Sequence, residues 1–505
     1  MKLLIIGLDG ATWKVIDPLL KDGRLPNLAH LVENGTRCVS TAVKPALSPI
    51  VWTSLASGKR PEKHGVTHFF DTANSVRCRR LWDILERPDR PIGLFAWPVT
   101  WPPRPAYGFI VPSLFARAKD TFPAELGFVK DLEEGLNKGW AERFRLMSTA
   151  MRHGLRPATV ARMAKYVIGQ KLGNYDDMDR FARQRFLKLY IHLDIYEFLV
   201  RKYNPYFTSF YLNQTDAFSH RFWRYYEPHL FPDVTEAGVK RYGDVIPRVY
   251  EMADRTVGRL LKLADKDTLI AVVSDHGFEA TDAVTEGSKF CGRILGHRLL
   301  EMLNLTGQAS YVNHRAWIVV KLSREANHRR AEILDLMSKV RVRELSAPLL
   351  DVIEDHTGEI GLKIHNRIHL YGDDVDLNTL HIDYLDESGP FLDLVQPDYD
   401  KRASGVHHPD GIAIFYGPGV RPGGRVAQAS VLDVTPTLLA LLGMPIGRDM
   451  DGRVLTEAIV PEFLAKNPPT HIDTYDADLE FNEVEDDEPI PEELMSRLRA
   501  LGYVD

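Results

Sequence analysis

A chain of 505 residues, 44% apolar and 26% charged, has the composition of a globular protein long enough for one large core with insertions or for two to three domains. Its formal net charge of -6, with no basic stripe, argues against nucleic acid as the main partner. Three scattered cysteines, Cys38, Cys78 and Cys291, make neither a disulfide framework nor a zinc-binding spacing, and no stretch nears the roughly 20 apolar residues of a membrane span or reads as a signal peptide, which together predict a soluble cytoplasmic protein.

Residues 2–7 are a compact apolar run ending in Gly7-Leu8-Asp9-Gly10, the mark of a first strand covered on both faces. Leu25–Asn34 reads as a helix, and residues 37–43 have the β-branched alternation of a second strand. Ser48 then reads as an N-cap, Pro49 suits a first helical turn, and Gly58 can end the helix. A serine there faces free backbone N–H groups and the positive end of the helix dipole, a setting that favours an oxyanion or phosphate. Taken alone, the segment is better read as a plain cap. Residues 91–97 read as a buried strand. From 118 to 204 the pattern turns helical, and Phe186, Leu189, Tyr190, Leu193, Tyr196 and Leu199 form a packing stripe at helical spacing. Strand character returns at 205–212 and runs into Asn213-Gln214-Thr215-Asp216. A helix follows over 237–264. Residues 268–274 are the clearest buried strand, ending at Asp275-His276-Gly277. Weaker, mixed signals fill 286–400, with short strands near 316–321 and 366–371. The last core strand spans 411–417, and a helix near 431–442 closes the core before Gly443. Residues 473–493 are acidic and poor in apolar side chains, which predicts a loosely draped tail, with a short docking helix over 494–503.

Strands alternating with helices predict an α/β fold with a mainly parallel, doubly wound sheet flanked by helices. The expected core comprises 1–117, 205–285 and 401–460, interrupted by a helical insertion at 118–204 and an α+β insertion at 286–400, with a tail at 461–505. Such sheets bind ligands beyond the carboxyl ends of their strands. Asp9, Asp216, Asp275 and His276 all stand just past predicted strand ends, and Ser48 follows one closely. His220 lies four residues after Asp216, where a helical turn would let both face one ion, and His407 precedes the last strand. Singly, each has a structural explanation as a turn carboxylate or a packing histidine. Together, three carboxylates and three histidines at one edge form a costly cluster unless cations are present. Carboxylate and imidazole suit Zn²⁺, with Mn²⁺ as the alternative, and six such ligands plus a serine oxygen suffice for two metals about 4 Å apart.

These motifs resemble the alkaline phosphatase superfamily, in its type I phosphodiesterase/nucleotide pyrophosphatase branch. The matching stretches are Gly7-Leu8-Asp9-Gly10, Ser48-Pro49 through Gly58, Pro61-Glu62-Lys63-His64-Gly65, Thr215-Asp216 through His220, Ser274-Asp275-His276-Gly277-Phe278, Gly405-Val406-His407, Asp433 through Leu439, and Met450-Asp451-Gly452. They cover about 1–117, 205–285 and 400–455. The resemblance implies an alkaline-phosphatase-like core and a two-metal phosphoester hydrolase. Asp9, Ser48, Asp275 and His276 would hold the metal that activates the nucleophile, and Asp216, His220 and His407 the second. Ser48 would attack phosphorus and form a phosphoseryl intermediate on a small-molecule substrate. Two departures stand out. Serine takes the place of the branch's usual threonine, and Val66-Thr67-His68-Phe69-Phe70 lacks the asparagine that follows His-Gly in nucleotide pyrophosphatases. His64 matches as a structural residue. His408 is the register alternative to His407, which is preferred as the second residue after the glycine.

A phosphomonoesterase or phosphotransferase of the same superfamily is the alternative reading. A sulfatase would need a Cys/Ser-x-Pro-x-Arg signature, which Ser48-Pro49-Ile50-Val51-Trp52 lacks, and a non-catalytic relative would not keep all seven ligand positions. Of the nearby cations, Lys59, Arg60 and Lys63 follow Gly58 and only Lys44 precedes Ser48 closely. Pro45, Leu47, Ile50 and Trp52 are expected to contact an ester's organic part, so diesters are expected over monoesters. No sequence feature sets an oligomeric state.

Overall fold

The computed structural model describes residues 2–67, 70–135, 140–173, 175–231, 234–281, 292–314, 317–354, 360–364, 376–397 and 404–479. The first of two compact units is built from Met1–Ser219, Asp244–Phe278 and His407–Ile490. Its centre is an eight-stranded sheet: β1 (Leu3–Leu8), β2 (Thr36–Thr41), β3 (Ile92–Phe95), β4 (Gly108–Val111), β5 (Phe207–Leu212), β6 (Leu269–Val273), β7 (Asp410–Tyr416) and β8 (Gly424–Ser430). The spatial order is β8-β2-β7-β6-β1-β5-β3-β4. Neighbours run parallel, except that β7 lies antiparallel to both β2 and β6. The fold is therefore the mainly parallel α/β sheet expected.

Strand period explains how both faces are covered. On one face Leu3, Ile5, Ala271 and Phe415 join Ile50, Val51, Trp52 and Leu55 of the helix Ser48–Ser57 and Leu438 and Leu439 of Val434–Leu441 in one apolar cluster. On the other face, Phe95 and Phe210 pack against Tyr196 of the helix Asp177–Tyr203, with ring centroids 5.7 and 4.9 Å away. Tyr196 also hydrogen-bonds Thr208 Oγ1 at 3.0 Å. Tyr196 of the stripe expected over 186–199 is thus packing. Farther along the sheet, the helices Pro26–Asn34 and Val245–Leu261 are locked together by Asp254, which accepts from Leu28 N at 2.8 Å and Asn27 Nδ2 at 2.7 Å. Trp52 sits edge-on to Trp97 and Tyr211, 4.9 and 5.4 Å away, and a Cβ on Gly7 would come within 2.9 Å of it. Glycine at 7 lets that indole lie directly on β1.

Several elements differ from the sequence reading. The helix expected over 237–264 breaks into Glu236–Tyr242 and Val245–Leu261. β4 and β8 were not anticipated. β4 has only four residues, and β8 alternates buried and exposed positions with Arg425, Gln428 and Ser430, as an outer strand does. Residues 473–479 are not loosely draped. Asp476 takes the buried Lys59 ammonium at 2.5 Å and the Arg79 N–H at 2.8 Å, and Tyr475 donates to Pro445 O at 2.6 Å. The expected strand at 366–371, the docking helix at 494–503, the end of the acidic tail and Cys291 lie outside the described residues.

The second unit is built from His220–Gly243 and Glu279–Val406. Ala309–His314, Trp317–Leu322, Leu350–Glu354 and Ile360–Ile364 form an antiparallel four-stranded sheet. Ile318, Val320, Ile360 and Leu362 share a core with Leu299 and Leu300 of the helix Gly296–Met302 and Ile333 and Met337 of Arg330–Ser338. Among the described residues, no helix is long and apolar enough to cross a membrane.

Candidate active site

β1, β5 and β6 end level with one another, because Leu8 pairs with Leu212 and Gly7 with Val273. The residues that follow these ends therefore meet. Asp9, Asp275 and His276 are fully buried, and one ligand atom from each lies within 4.8 Å of the others. His276 Nε2 is 3.6 Å from Asp9 Oδ1 and 3.3 Å from Asp275 Oδ2. A second trio, Asp216, His276 and His407, meets the same distance criterion, with His407 Nε2 3.4 Å from Asp216 Oδ1. The imidazoles of His276 and His407 stack with centroids 3.6 Å apart.

The supporting contacts orient these groups. Asp275 Oδ1 accepts from Gly10 N at 3.2 Å and from His276 N at 3.1 Å, which turns Oδ2 toward the cluster. Gly10 adopts φ +64, and a Cβ there would strike Phe278 at 2.8 Å. Tyr211 on β5 donates its hydroxyl to Asp9 Oδ2, and Thr215 Oγ1 donates to the Asp9 carbonyl at 2.5 Å. His276 Nδ1 donates to Gly277 O at 3.0 Å and His407 Nδ1 to Ala46 O at 3.0 Å. A backbone carbonyl can only accept, so each contact puts the proton on Nδ1 and points Nε2 at the site.

Charge is concentrated here. Burial, followed by the neighbouring charges of Asp275 and Asp216, raises the Asp9 carboxyl well above the usual carboxylate range. Burial pushes the His276 imidazole down to about 4, against the pull of Asp275 and Asp216, so at neutral pH it offers a lone pair. For His407, burial works downward, but the hydrogen bond and charge of Asp216 and the Ala46 carbonyl raise it above its ordinary value.

Ser48 is 1% exposed and is the first residue of its helix. The sequence reading of Ser48 as N-cap is corrected by one position. Leu47 is the extended cap residue and makes no side-chain capping bond. Ser48 Oγ is buried without a hydrogen-bond partner. Because Ala46, which receives His407, stands two residues earlier, the start of this helix is tied to the histidine. Ile50 and Trp52 are wholly buried in the core cluster and do not face a substrate, while Pro45 and Leu47 keep partial exposure. His64 is structural: its Nδ1 accepts from Val66 N at 3.1 Å and Nε2 lies 2.9 Å from Ser54 Oγ. His408 Nδ1 accepts from Asp410 N at 3.1 Å and belongs to neither trio. His220 follows Asp216 by one turn on the helix Gln214–Tyr226 but falls in the second unit, where its Nδ1 donates to Gly405 O at 2.9 Å. Sequence reasoning missed Tyr211 and Thr215. The register of Gly7 opposite Tyr211 is the signal that finds the tyrosine.

The donors fit divalent cations. Asp9 Oδ1, Asp275 Oδ2, His276 Nε2 and Ser48 Oγ are buried polar atoms without hydrogen-bond partners. Each such atom costs about 1–3 kcal/mol when left unsatisfied, and oxygen with imidazole is a donor set for Zn²⁺ or Mn²⁺. The carboxyl ends of β1, β5 and β6, furnished in this way, suit a metal-dependent hydrolase, and the family match makes it one acting on phosphoric esters. The family model for type I phosphodiesterase/nucleotide pyrophosphatase matches residues 3–400, and the chain belongs to that family. His407 lies just beyond the matched stretch. No curated protein matches the sequence. Among solved structures, murine ectonucleotide pyrophosphatase/phosphodiesterase 5 is similar at 13% identity and a TM-score of 0.47, with 91% of this chain and 100% of that one covered. An inactive variant of the same murine protein in complex with AMP gives 13% identity and a TM-score of 0.45, with 88% and 95% covered.

Proposed function

We propose that this protein hydrolyses small phosphodiesters in two steps through a phosphoserine at Ser48, with two divalent cations. Asp9, Ser48, Asp275 and His276 would hold the first cation. Asp216 and His407 would hold the second, to which the family resemblance adds His220. When bound, the pair acidifies the serine hydroxyl, steadies the leaving oxygen and activates water.

The chain's own groups do the rest. Tyr211 fixes Asp9, and the Gly10 and His276 amides fix Asp275, so both carboxylates are oriented before any ligand arrives. Ser48 Oγ forms a bond to phosphorus as the bond to the leaving alcohol breaks. Water then cleaves the Ser48 Oγ–phosphorus bond, releasing a monoester and restoring the hydroxyl. The helix start carries no side-chain cap, so its amides would support the non-bridging oxygens. The observation that carries this reading is the set of four buried, unsatisfied donor atoms on Asp9, Ser48, Asp275 and His276.

Diester preference rests on which cations stand near the serine. Lys59 is occupied by Asp449 and Asp476, and Lys63 by Asp451, toward the far end of the helix. Neither is positioned to neutralise the second charge of a monoester. The test is kcat/KM for a nitrophenyl diester against the matching monoester, with added Zn²⁺, Mn²⁺ or Mg²⁺. Diester preference is expected, and a tenfold preference for the monoester would reassign the enzyme as a phosphatase.

A further inference from the structure

The first unit has a second place where anions would gather. A cavity of about 480 Å³ lies among the helices Pro157–Leu172, Asp177–Tyr203 and Val245–Leu261. None of the site candidates lines it. Five cations do: Arg156, Arg162, Arg255, Arg259 and Lys262. Among the described residues, the one carboxylate on its wall is Asp194, which is buried.

Two of these cations are held in a fixed frame. Arg259 reaches Glu197 at 2.6 Å and Asp194 at 2.8 Å. Arg156 pairs with Glu197, and its N–H and the Thr159 hydroxyl both donate to Asp194 Oδ2, at 3.0 and 2.6 Å. A guanidinium has five N–H donors, so each arginine keeps donors beyond those bonds. Arg162 is placed differently, with its guanidinium carbon 4.2 Å from the centroid of the Tyr190 ring. Arg162 and Lys262 make no ion pair among the described residues. Glu251 stands 3.7 Å from Arg255. Glu197 and Glu251 are themselves shared with Arg201 and Arg24 outside the wall, so these carboxylates do not neutralise the cations of the cavity. Leu193, Met252 and Tyr190 supply an apolar wall. The volume falls in the range of small-ligand sites, roughly 300–1,000 Å³.

We propose that this cavity is a binding site for a small organic phosphate, separate from the hydrolytic centre. The phosphate would lie against Arg162, Arg259 and Lys262, where planar guanidinium forks bind its oxygens in pairs. The organic part would lie against Leu193 and Met252. A buried carboxylate frame that fixes arginines in a concave wall is what sets this place apart from an ordinary solvated basic face.

Phenylphosphonate is the probe, because it has a phosphate-like dianion, a ring and no ester bond to cleave. Calorimetric titration of the full metal-loaded chain is expected to show two binding events, one at each place. Arg162 and Lys262 are exposed and make no ion pair among the described residues, so the double variant Arg162→Glu/Lys262→Glu gives up only the contact of Arg162 with the Tyr190 ring. It is expected to weaken one event at least tenfold while ester hydrolysis and melting temperature stay unchanged. If the hydrolytic reading were wrong, the wild-type chain would show a single event, and the double variant would remove it. An isotherm of the double variant that superimposes on the wild type overturns the proposal.

Discussion

Ser48 Oγ makes no hydrogen bond in its buried position, so replacing it removes no stabilising contact. Ser48→Ala is therefore expected to leave the melting temperature within the change that about 1 kcal/mol produces. Turnover should fall by about a thousandfold or more, because the group that forms the covalent bond is gone. Near-native turnover in that variant would leave Ser48 with no chemical role. The adjacent histidines separate in a similar way. His407 meets Asp216 and His276, whereas His408 satisfies its own loop through Asp410 N. His407→Ala should lose metal and about 10–100-fold in activity, with His408→Ala close to wild type. Metal content and rate measured together check the ranking, and the reverse order would move the ligand by one residue.

At the scale of elements, the helix Ser48–Ser57 is pinned to β1 and β5 by Trp52, and the short helix Leu81–Leu85 contributes Trp82 and an ion-pair hub to the same core. Asp83 accepts from Arg80 Nε at 3.0 Å and from Arg104 Nη2 at 2.8 Å. Burial works against its charge, but Arg80 and Arg104 hold it below the usual carboxylate range. A depressed folded value means stability that is fully present above the unfolded value of about 3.9 and is lost as pH falls through the folded one. Asp83→Asn should cost about 3 kcal/mol near pH 7. That cost should shrink below about pH 4, read from urea melts at several pH values, and a pH-independent difference would sink the assignment. The strand ends that carry the site were legible because β1 and β6 are apolar throughout, β5 carries Phe207, Phe210, Tyr211 and Leu212, and each strand is followed at once by polar residues. β4 and β8 were not, since four residues or an outer strand's mixed polarity give no periodic signal. The one-residue displacement of Ser48 from cap to first helical position also escaped the sequence. Serine and leucine can both precede Pro49, and only the extended backbone of Leu47 decides between them. Tyr211 and the Ala46 carbonyl were invisible because register and backbone direction, not residue type, bring them to the site.

For the molecule as a whole, the buried carboxylates set how stability depends on metal and pH. Asp9 has a raised folded value, so a metal-free fold binds more protons than the unfolded chain and loses stability as pH rises above about 3.9. Cations remove that penalty by stabilising the ionised form. The melting temperatures of chelated and metal-loaded protein should therefore diverge as pH rises above about 3.9, with the chelated form falling behind. A gap that is constant or narrows with pH would show that Asp9 is not part of the metal centre. The antiparallel strand β7 carries a consequence of another kind. It fills the slot between β2 and β6 but belongs to residues 410–416, made long after both neighbours. A ribosome that has released only the first 400 residues has produced two strands facing an open gap, each with an unpaired edge of the sort that invites pairing with another chain. Sheet closure must wait for late synthesis, and the long sequence separation makes it slow. The segment that closes the gap also brings His407, so the nascent chain acquires its histidine and loses its sticky edges in the same event.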